Sequence, residues 1–398
     1  MNYKVGIRLY MEFEHNRRLL EGILHYIHSG AQWQITANPF FSHHWPQILK
    51  ECDGAIVQVY EKPLAKVVNA LRIPVVSVVN SAFTPDLPAV INDDAAVGHM
   101  AAEYLMNLNC HTFGFVGFYY PRTWSHERGS GFVECLAKSG HKCSLLAPFG
   151  NCRAPSFNYS WTPANLKSWL KSLPPRSGIF AATDFVGVMV IDACRELGIA
   201  MPEDMGIVGV DNNAMLCEMA SVPLTSIATD ARRLGFEAAQ MLDLMMQGKK
   251  PREAPRGKPQ GFLAKKGRRQ IKLPPLDIVV RRSTEFFAID DPIMAKAMHF
   301  IAANCQKRIG VRDVLKNAPL LCRRNLERRF RNKLSCSIHD AIIRARINKA
   351  KRLLAETNRD MTIVAEQAGF PDSKKLSEHF RKATGLTPSA YRRHSSLP

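Results

Sequence analysis

Leu326-Glu-Arg-Arg-Phe-Arg331 and Leu376-Ser-Glu-His-Phe-Arg381 stand fifty residues apart and share one pattern, a Leu followed four residues later by a Phe and then an Arg. An internal repeat at a fixed offset implies two copies of one structural unit. Leu and Phe four apart lie on one face of a helix and turn into a small core, leaving positions such as 324, 328, 374 and 378 outward. Ser337 and Thr387 occupy matching places, so the repeat extends beyond the helix itself.

Around these anchors each copy reads as helix, turn, helix. In the first, Val311–Asn317 is a short amphipathic helix, Ala318-Pro-Leu-Leu321 a turn and Cys322–Lys333 a very basic second helix. In the second, 362–367 is followed by the turn Ala368-Gly-Phe370, and a second helix starts after Pro371-Asp372. Glycine fits that tight turn, and Asp372 or Ser373 can cap the helix. Between the copies, Ser337-Ile-His-Asp340 reads as a capping box opening a helix to Thr357, which would hold the two units at a fixed separation. The two helix-turn-helix motifs thus span about 311–333 and 362–382, and one chain could read two successive major-groove segments.

The outward faces supply the candidate DNA contacts. Arg323, Arg324, Arg328 and Arg331 come from the first second-helix, where an Arg fork can bond O6 and N7 of guanine. Ser373, Lys374, Ser377 and Arg381 come from the other, with Arg381 and Lys382 nearer the phosphates. Charge agrees with this placement. The 398 residues carry 54 Lys and Arg against 35 Asp and Glu, net +19; residues 1–246 are net −3, 247–289 net +9 and 290–398 net +13. Lys and Arg that neutralise phosphates release condensed counterions, so a polyanion partner for the C-terminal part is the direct reading.

Upstream, short apolar runs alternate with helical-period segments, the pattern of a parallel sheet covered by helices. Expected strands are Lys4–Leu9, Gly54–Val59, Pro74–Val78, Phe113–Phe118, Ser177–Ala181 and Gly206–Val210. Expected helices are His15–Ser29, Asp94–Leu108, Arg128–Lys138, Asp184–Leu197 and Asp230–Gln247. The stretch 248–275, GKKPREAPRGKPQGFLAKKGRRQIKLPP, reads as an exposed basic loop. LDIVVRRST then supplies one more strand, closing this domain at about residue 284 and leaving 285–398 for the helical one.

Several classes are disfavoured. No stretch of eighteen apolar residues exists and the N-terminus has no signal-peptide pattern, so a cytoplasmic chain without membrane contact is expected. The ten cysteines are scattered, without C-x-x-C or Cys/His ligand spacing, and read as free thiols; no metal or cofactor is expected. The sequence has no G-x-G-x-x-G after the first strand, no phosphate-binding G-x-x-x-x-G-K-[ST], no G-x-S-x-G and no H-E-x-x-H. Adjacent acids such as Asp93-Asp94 fit a helix start better than acid–base catalysis. A sugar-active enzyme with a basic tail, or a nucleic-acid binder acting through charge alone, are the rival readings; the second has no need of the repeated Leu/Phe anchors.

Residues 291–394 resemble the DNA-binding domain of the AraC/XylS family. The resemblance is carried by LERRF (326–330), RINKAKRLLAET (346–357), IVAEQAGFPD (363–372) and LSEHFRKATGLTPSAYR (376–392). It implies transcriptional control, usually activation through contact with RNA polymerase. The first turn, KNAPLLC (316–322), departs by being one residue longer, lacking the usual glycine and placing Cys322 where the family has a Ser cap, which bears on the tilt of the first recognition helix.

The first domain resembles the two-lobed sugar-binding fold of periplasmic binding proteins (type I), as used by LacI-type repressors and, joined to an AraC-type tail, by regulators of the xylose-operon type. Its carriers, in order, are NRRLLEGILHY (16–26), VINDDAAVGHMAAEYL (90–105), FGFVGF (113–118), SHERGSGF (125–132), IFAATDFVGV (179–188), IVGVDNN (207–213) and LTSIATDARRLGFEAAQMLDLMMQGKKP (224–251). The implied effector is a small, pentose-like sugar, and the LacI-like fold usually forms homodimers. Asp184 and Asp211 follow strands at their C-terminal ends, where ligands of parallel sheets sit; helix capping is the alternative for both. Arg128 stands where the resemblance implies a ligand-bonding Arg, with a structural ion pair as the alternative. Asn16 opens the first helix and Trp124 is a possible platform for the apolar face of a sugar ring. His15-Asn16 stands where xylose-type regulators have a more acidic pair, so the expected sugar need not be xylose.

Overall fold

A computed structural model describes residues 2–35, 45–108, 110–118, 123–146, 162–249, 270–285, 291–317, 322–334 and 336–395. The chain starts with β1 (Tyr3–Arg8), α1 (Glu14–His28), β2 (Trp33–Ile35), α2 (Trp45–Lys50), β3 (Gly54–Val57), α3 (Lys62–Asn69), β4 (Val75–Ser77) and β5 (Ala89–Asn92). It crosses into a second lobe with α4 (Asp94–Asn107), β6 (Thr112–Val116), α5 (Thr123–Lys138), β7 (Cys143–Leu145), α6 (Pro163–Ser172), β8 (Ser177–Ala181), α7 (Asp184–Leu197), β9 (Met205–Val210), α8 (Ala214–Met219) and β10 (Thr225–Ala228). It returns to the first lobe for α9 (Ala231–Met246) and β11 (Gln270–Leu273), and crosses again to end in β12 (Asp277–Val279).

Among the described residues each lobe is built on a six-stranded sheet, ordered β11-β5-β4-β3-β1-β2 and β12-β10-β9-β8-β6-β7, and every pairing is parallel except that of β12. The central strands β3, β5, β8 and β9 are runs buried on both faces, as helix-covered parallel sheets require. In the first lobe Val5, Ile7, Val76 and Val90 meet α1 and α9 on one face, while Ala55, Val57 and Val75 meet Leu49, Ala65 and Val68 on the other. In the second, Phe113, Phe115 and Phe180 pack with Phe132 of α5, and Ile179 and Ile207 face α6 and α7. The α/β two-lobed architecture expected from sequence is present, and three crossings join the lobes: 92–94, 228–231 and 273–277.

One expectation is corrected. The basic stretch 248–275 does not run as a loop to its end, because Gln270–Leu273 pairs in parallel with β5 at the sheet edge. Ile271 and Leu273 alternate onto the core face and join Val90 and Leu242. Four residues with a Lys between two aliphatics read as part of the charged run until the sheet edge supplies the partner. Residues 250–269 of that stretch lie outside the described residues.

The remaining helices are α10 (Pro292–Asn304), α11 (Val311–Lys316), α12 (Arg323–Leu334), α13 (Ile338–Glu356), α14 (Met361–Ala368), α15 (Ser373–Thr384) and α16 (Pro388–Ser395). Leu326 and Phe330 enter one small core with Met294, Ile301 and Val314; Leu376 and Phe380 enter another with Val364, Phe370 and Tyr391. Ser337 caps α13 through the expected box, its hydroxyl accepting from Asp340 N at 3.0 Å and the Asp340 carboxylate accepting from Ser337 N at 3.0 Å. Asp372, not Ser373, caps α15, accepting from Lys375 N at 2.7 Å. Gly369 takes φ +88° in the second turn, and a Cβ there would stand 2.0 Å from the Cys305 carbonyl oxygen. Residues 318–321 of the first turn lie outside the described residues. The nine described cysteines are free; Cys152 is outside them. Among the described residues no helix is long and apolar enough to cross a membrane.

Candidate effector cleft and nucleic-acid interface

The C-terminal ends of both sheets face one another across the three crossings, and there the charged side chains of the first domain converge. Arg128, on the inner face of α5, is the centre. Its Nε donates to Asp94 Oδ1 at 2.8 Å, its Nη1 donates to the Ala182 carbonyl at 2.6 Å, and its Nη2 lies 3.7 Å from Asp211 Oδ1. The Trp124 ring lies 4.9 Å from the same guanidinium. Burial opposes the charge on Arg128, yet Asp94 and Asp211 outweigh it and hold the group above its ordinary value. Burial pushes the Asp94 carboxyl up to about 7, with the Arg128 charge opposing. A buried guanidinium with carboxylates and an aromatic face has the chemistry that can hold hydroxyl groups of a small ring.

Asp211 directly follows β9 in a conformation that L-residues rarely adopt, φ +97°, and Asn212 comes next at φ +46°. Such backbone strain persists where surrounding contacts over-determine it, often at binding sites. Asp184 supplies those contacts: its Oδ2 accepts from Asn213 N at 2.7 Å and its Oδ1 from Ser226 Oγ at 2.5 Å. Burial, then the neighbouring Asp211, push Asp184 up to about 7, while those two hydrogen bonds and Arg281 oppose. Neither aspartate caps a helix. Thr183 caps α7 and Asn213 caps α8, so Asp184 holds the turn and Asp211 presents its carboxylate between the lobes.

Asn16 is used internally: its Nδ2 donates to the Tyr10 carbonyl at 2.7 Å and its Oδ1 accepts from Gln58 Nε2 at 2.7 Å. Its neighbour His15 is the residue that crosses the cleft, with Nδ1 at 3.7 Å from Asp211 and 3.3 Å from the Thr229 hydroxyl. Burial holds His15 below its ordinary value, with Asp211 opposing. The structure therefore brings Trp124, Arg128 and Asp211 together with His15 and Asp94, and sets Asn16 and Asp184 behind them as supports. The lobes are bridged further by Arg18 Nη2 donating to the Asn212 carbonyl at 3.2 Å and by Asn80 Nδ2 donating to Glu127 Oε1 at 2.5 Å. Asn80 lies in a loop without periodicity and carried no sequence signal.

In the helical domain, Arg323, Arg324, Arg328 and Arg331 are exposed on α12, and Lys374 and Arg381 on α15, with Ser373 and Ser377 half-buried beside them. Arg323 pairs with Glu327 at 2.9 Å, and Lys375 with Glu378 at 2.9 Å. Arg329 turns away to Asp291, the N-cap of α10, tying the first recognition helix to its own core. Each recognition helix thus buries its Leu and Phe and offers a cationic face, the arrangement that enters a major groove.

A periplasmic binding protein-like domain model matches residues 102–284, and a helix-turn-helix domain model matches residues 321–394. With these matches on the cleft and the recognition helices, the chain is a helix-turn-helix transcription regulator carrying a periplasmic-binding-protein-like sensor, and not an enzyme. Over nearly its whole length it is similar to the xylose operon regulators, which share this plan of sensor followed by helix-turn-helix domain. It is 29% identical to the xylose operon regulatory protein of Haemophilus influenzae, over 98% of both chains, and 28% identical to that of Escherichia coli K12, over 95% of this chain and 94% of the other. Among solved structures, the xylose-binding transcription activator xylR matches with a TM-score of 0.59 and 26% identity over 98% of each chain. The regulator CelR in complex with cellobiose matches the fold with a TM-score of 0.55 and 19% identity, over 70% of this chain and 84% of the other.

Proposed function

We propose that residues 1–284 sense a pentose-like sugar between the lobes and that residues 285–398 bind operator DNA, so that the chain acts in the cytoplasm as a sugar-dependent activator of carbohydrate genes. The observation that carries this reading is the buried Arg128 cluster, which joins Asp94, Asp211 and Trp124 where the lobes meet. Sugar hydroxyls would exchange with the Arg128 and Asp211 groups, and the Trp124 ring would cover an apolar ring face. Ligand then favours one lobe arrangement, and that conformer holds α12 and α15 in the spacing DNA requires. Activation would proceed by contact of the DNA-bound domain with RNA polymerase.

The chain would act as a homodimer. Met215 and Met219, 74% and 77% exposed one turn apart on α8, border a groove of about 580 Å³ that also involves α1 and the start of α9. Large apolar side chains left together on a surface mark an association site.

Calorimetric titration with D-xylose, L-arabinose, D-ribose and D-glucose tests the sensor reading, alongside operator affinity measured with and without each. A pentose that binds and shifts operator affinity is expected. Binding of no pentose, or a pentose that binds without altering operator affinity, would count against it.

A further inference from the structure

Arg281, in the segment leaving β12, is completely buried, and each of its three guanidinium nitrogens donates to a group from a different place. Nη2 donates to Asn212 Oδ1 at 3.0 Å, Nη1 to the Leu224 carbonyl at 3.2 Å, and Nε to Glu218 Oε1 at 2.8 Å. Asn212 is the strained residue beside Asp211 in the cleft, and Glu218 is on α8, whose N-cap Asn213 is held by Asp184. One buried cation therefore ties the cleft turn to the far end of the helix that follows it.

The same Glu218 Oε1 lies 3.7 Å from Arg352 Nη1. Arg352 belongs to α13, the helix that spans the two helix-turn-helix units. Two further contacts dock this helical domain on the same edge of the sensor: Lys351 Nζ pairs with Asp277 Oδ2 at 2.7 Å, and the Tyr391 hydroxyl of α16 hydrogen-bonds to Asp277. Asp277 opens β12, the edge strand of the second lobe. Glu218 differs from Asp277 in being mounted on α8, directly after the cleft turn, rather than on a strand of the sheet.

We propose that α8 carries the state of the cleft to the DNA-binding domain, with Glu218 as a positioning residue shared between Arg281 of the sensor and Arg352 of α13. The proposal rests on the effector-cleft reading above for the signal that enters it. A fully buried guanidinium holds its carboxylate partner tightly, because leaving the cation unpaired is costly. The longer contact to Arg352 is the one that gives when the Asp211–Asn213 turn is rearranged. Asp277 keeps the domain docked meanwhile, so a small displacement of α8 changes the seating of α13 without releasing it.

Hydrogen–deuterium exchange of the full chain reads this without any sugar. Asn212→Ser disturbs the cleft end of the relay and is expected to raise exchange of the amides of residues 345–356 by about three-fold, since local opening reports on lost docking contacts. That increase is expected to vanish when Arg352→Gln is already present. If Asn212→Ser does not fold by circular dichroism, Glu218→Gln on the partly exposed side of α8 replaces it with the same expectation. Unchanged exchange in α13 of a folded variant overturns the relay. In the second arm, saturating D-xylose, L-arabinose or D-ribose is added and affinity is measured for a DNA site selected by the chain from a random library. In the parent the effective pentose is expected to shift affinity about ten-fold, and in Arg352→Gln less than about two-fold with pentose binding retained. An undiminished shift in Arg352→Gln overturns the relay. If α13 answers to Asn212→Ser but no pentose alters DNA affinity in the parent, the relay stands and the sugar reading falls.

Discussion

Arg128 and Asp94 form an ion pair at 2.8 Å in which each side chain is only 4% exposed, at the crossing where the chain first passes from one lobe to the other. A pair so placed is not a surface ornament, because removing one partner strands a charge out of reach of water. Arg128→Met is expected to lower the unfolding free energy by about 3–5 kcal/mol and to abolish sugar binding. The double change Arg128→Met with Asp94→Leu is expected to regain most of the stability but none of the binding. Urea unfolding and calorimetric titration of the two variants separate these effects; a destabilisation under about 1 kcal/mol for the single change would falsify the buried-pair account.

The Asp184 carboxyl gives a pH dependence whose sign can be worked out. Its folded value, about 7, lies above its ordinary value of 3.8, so between those limits the folded state binds more protons than the unfolded chain. Stability from this group therefore rises as pH falls from about 7 toward 4 and is lost as pH rises through about 7. Asp184→Asn removes the titration while keeping an oxygen for Asn213 N. Calorimetric melting temperatures at several pH values across that window should show the parent gaining on Asp184→Asn as pH is lowered. Parallel curves would mean that Asp184 is ionised throughout.

The recognition helices are unequal. Lys374→Ala on α15 is expected to relax sequence preference at one position, costing about 1–3 kcal/mol on the matched site and little on a scrambled one. Arg331→Ala on α12 is expected to weaken both sites alike and reduce the salt dependence by about one counterion. Binding to matched and scrambled duplexes over a salt series decides the matter, and the reversed pattern would exchange the roles of the two helices.

Gly369→Ala is expected to destabilise the DNA-binding domain by at least roughly 1–3 kcal/mol, since it adds a Cβ at positive φ. That Cβ also meets the Cys305 carbonyl at 2.0 Å, so α10 and α14 must separate. Loss of DNA binding with sugar binding intact, each measured on the same preparation, is the expected outcome.

Met219→Glu places a charge on the exposed apolar face of α8 and is expected to shift the chain toward monomer in sedimentation velocity, with the melting temperature of the sensor little changed. An unaltered dimer would move the association surface elsewhere.

The repeated Leu and Phe anchors made the helical domain legible because they obey one period and bury one face, and Leu326, Phe330, Leu376 and Phe380 all enter cores. The second turn was legible from its glycine. The cleft was legible only in part. Arg128, Trp124 and Asp211 follow from strand ends and a known segment, but which aspartate faces outward depends on two hydrogen bonds, from Asn213 N and Ser226 Oγ, that no spacing announces. Asn16 shows the same difficulty: its position at the start of α1 is right for a ligand, yet Gln58, forty-two residues away, takes its oxygen. β11 escaped notice because two aliphatics in a cationic run acquire meaning only beside β5.

That strand bears on how such a chain can be recombined. The charge changes sign near residue 247, which invites a cut there between sensor and reader, but β11 and β12 lie beyond it and close one edge of each lobe. A fragment ending at 247 would leave both sheets with a bare, adhesive border, and a reader transplanted from that point would bring two orphan strands with it. Exchange of the DNA-binding domain between regulators, in the laboratory or over descent, is therefore confined to junctions past Thr284, where the last crossing has been made and both lobes are sealed.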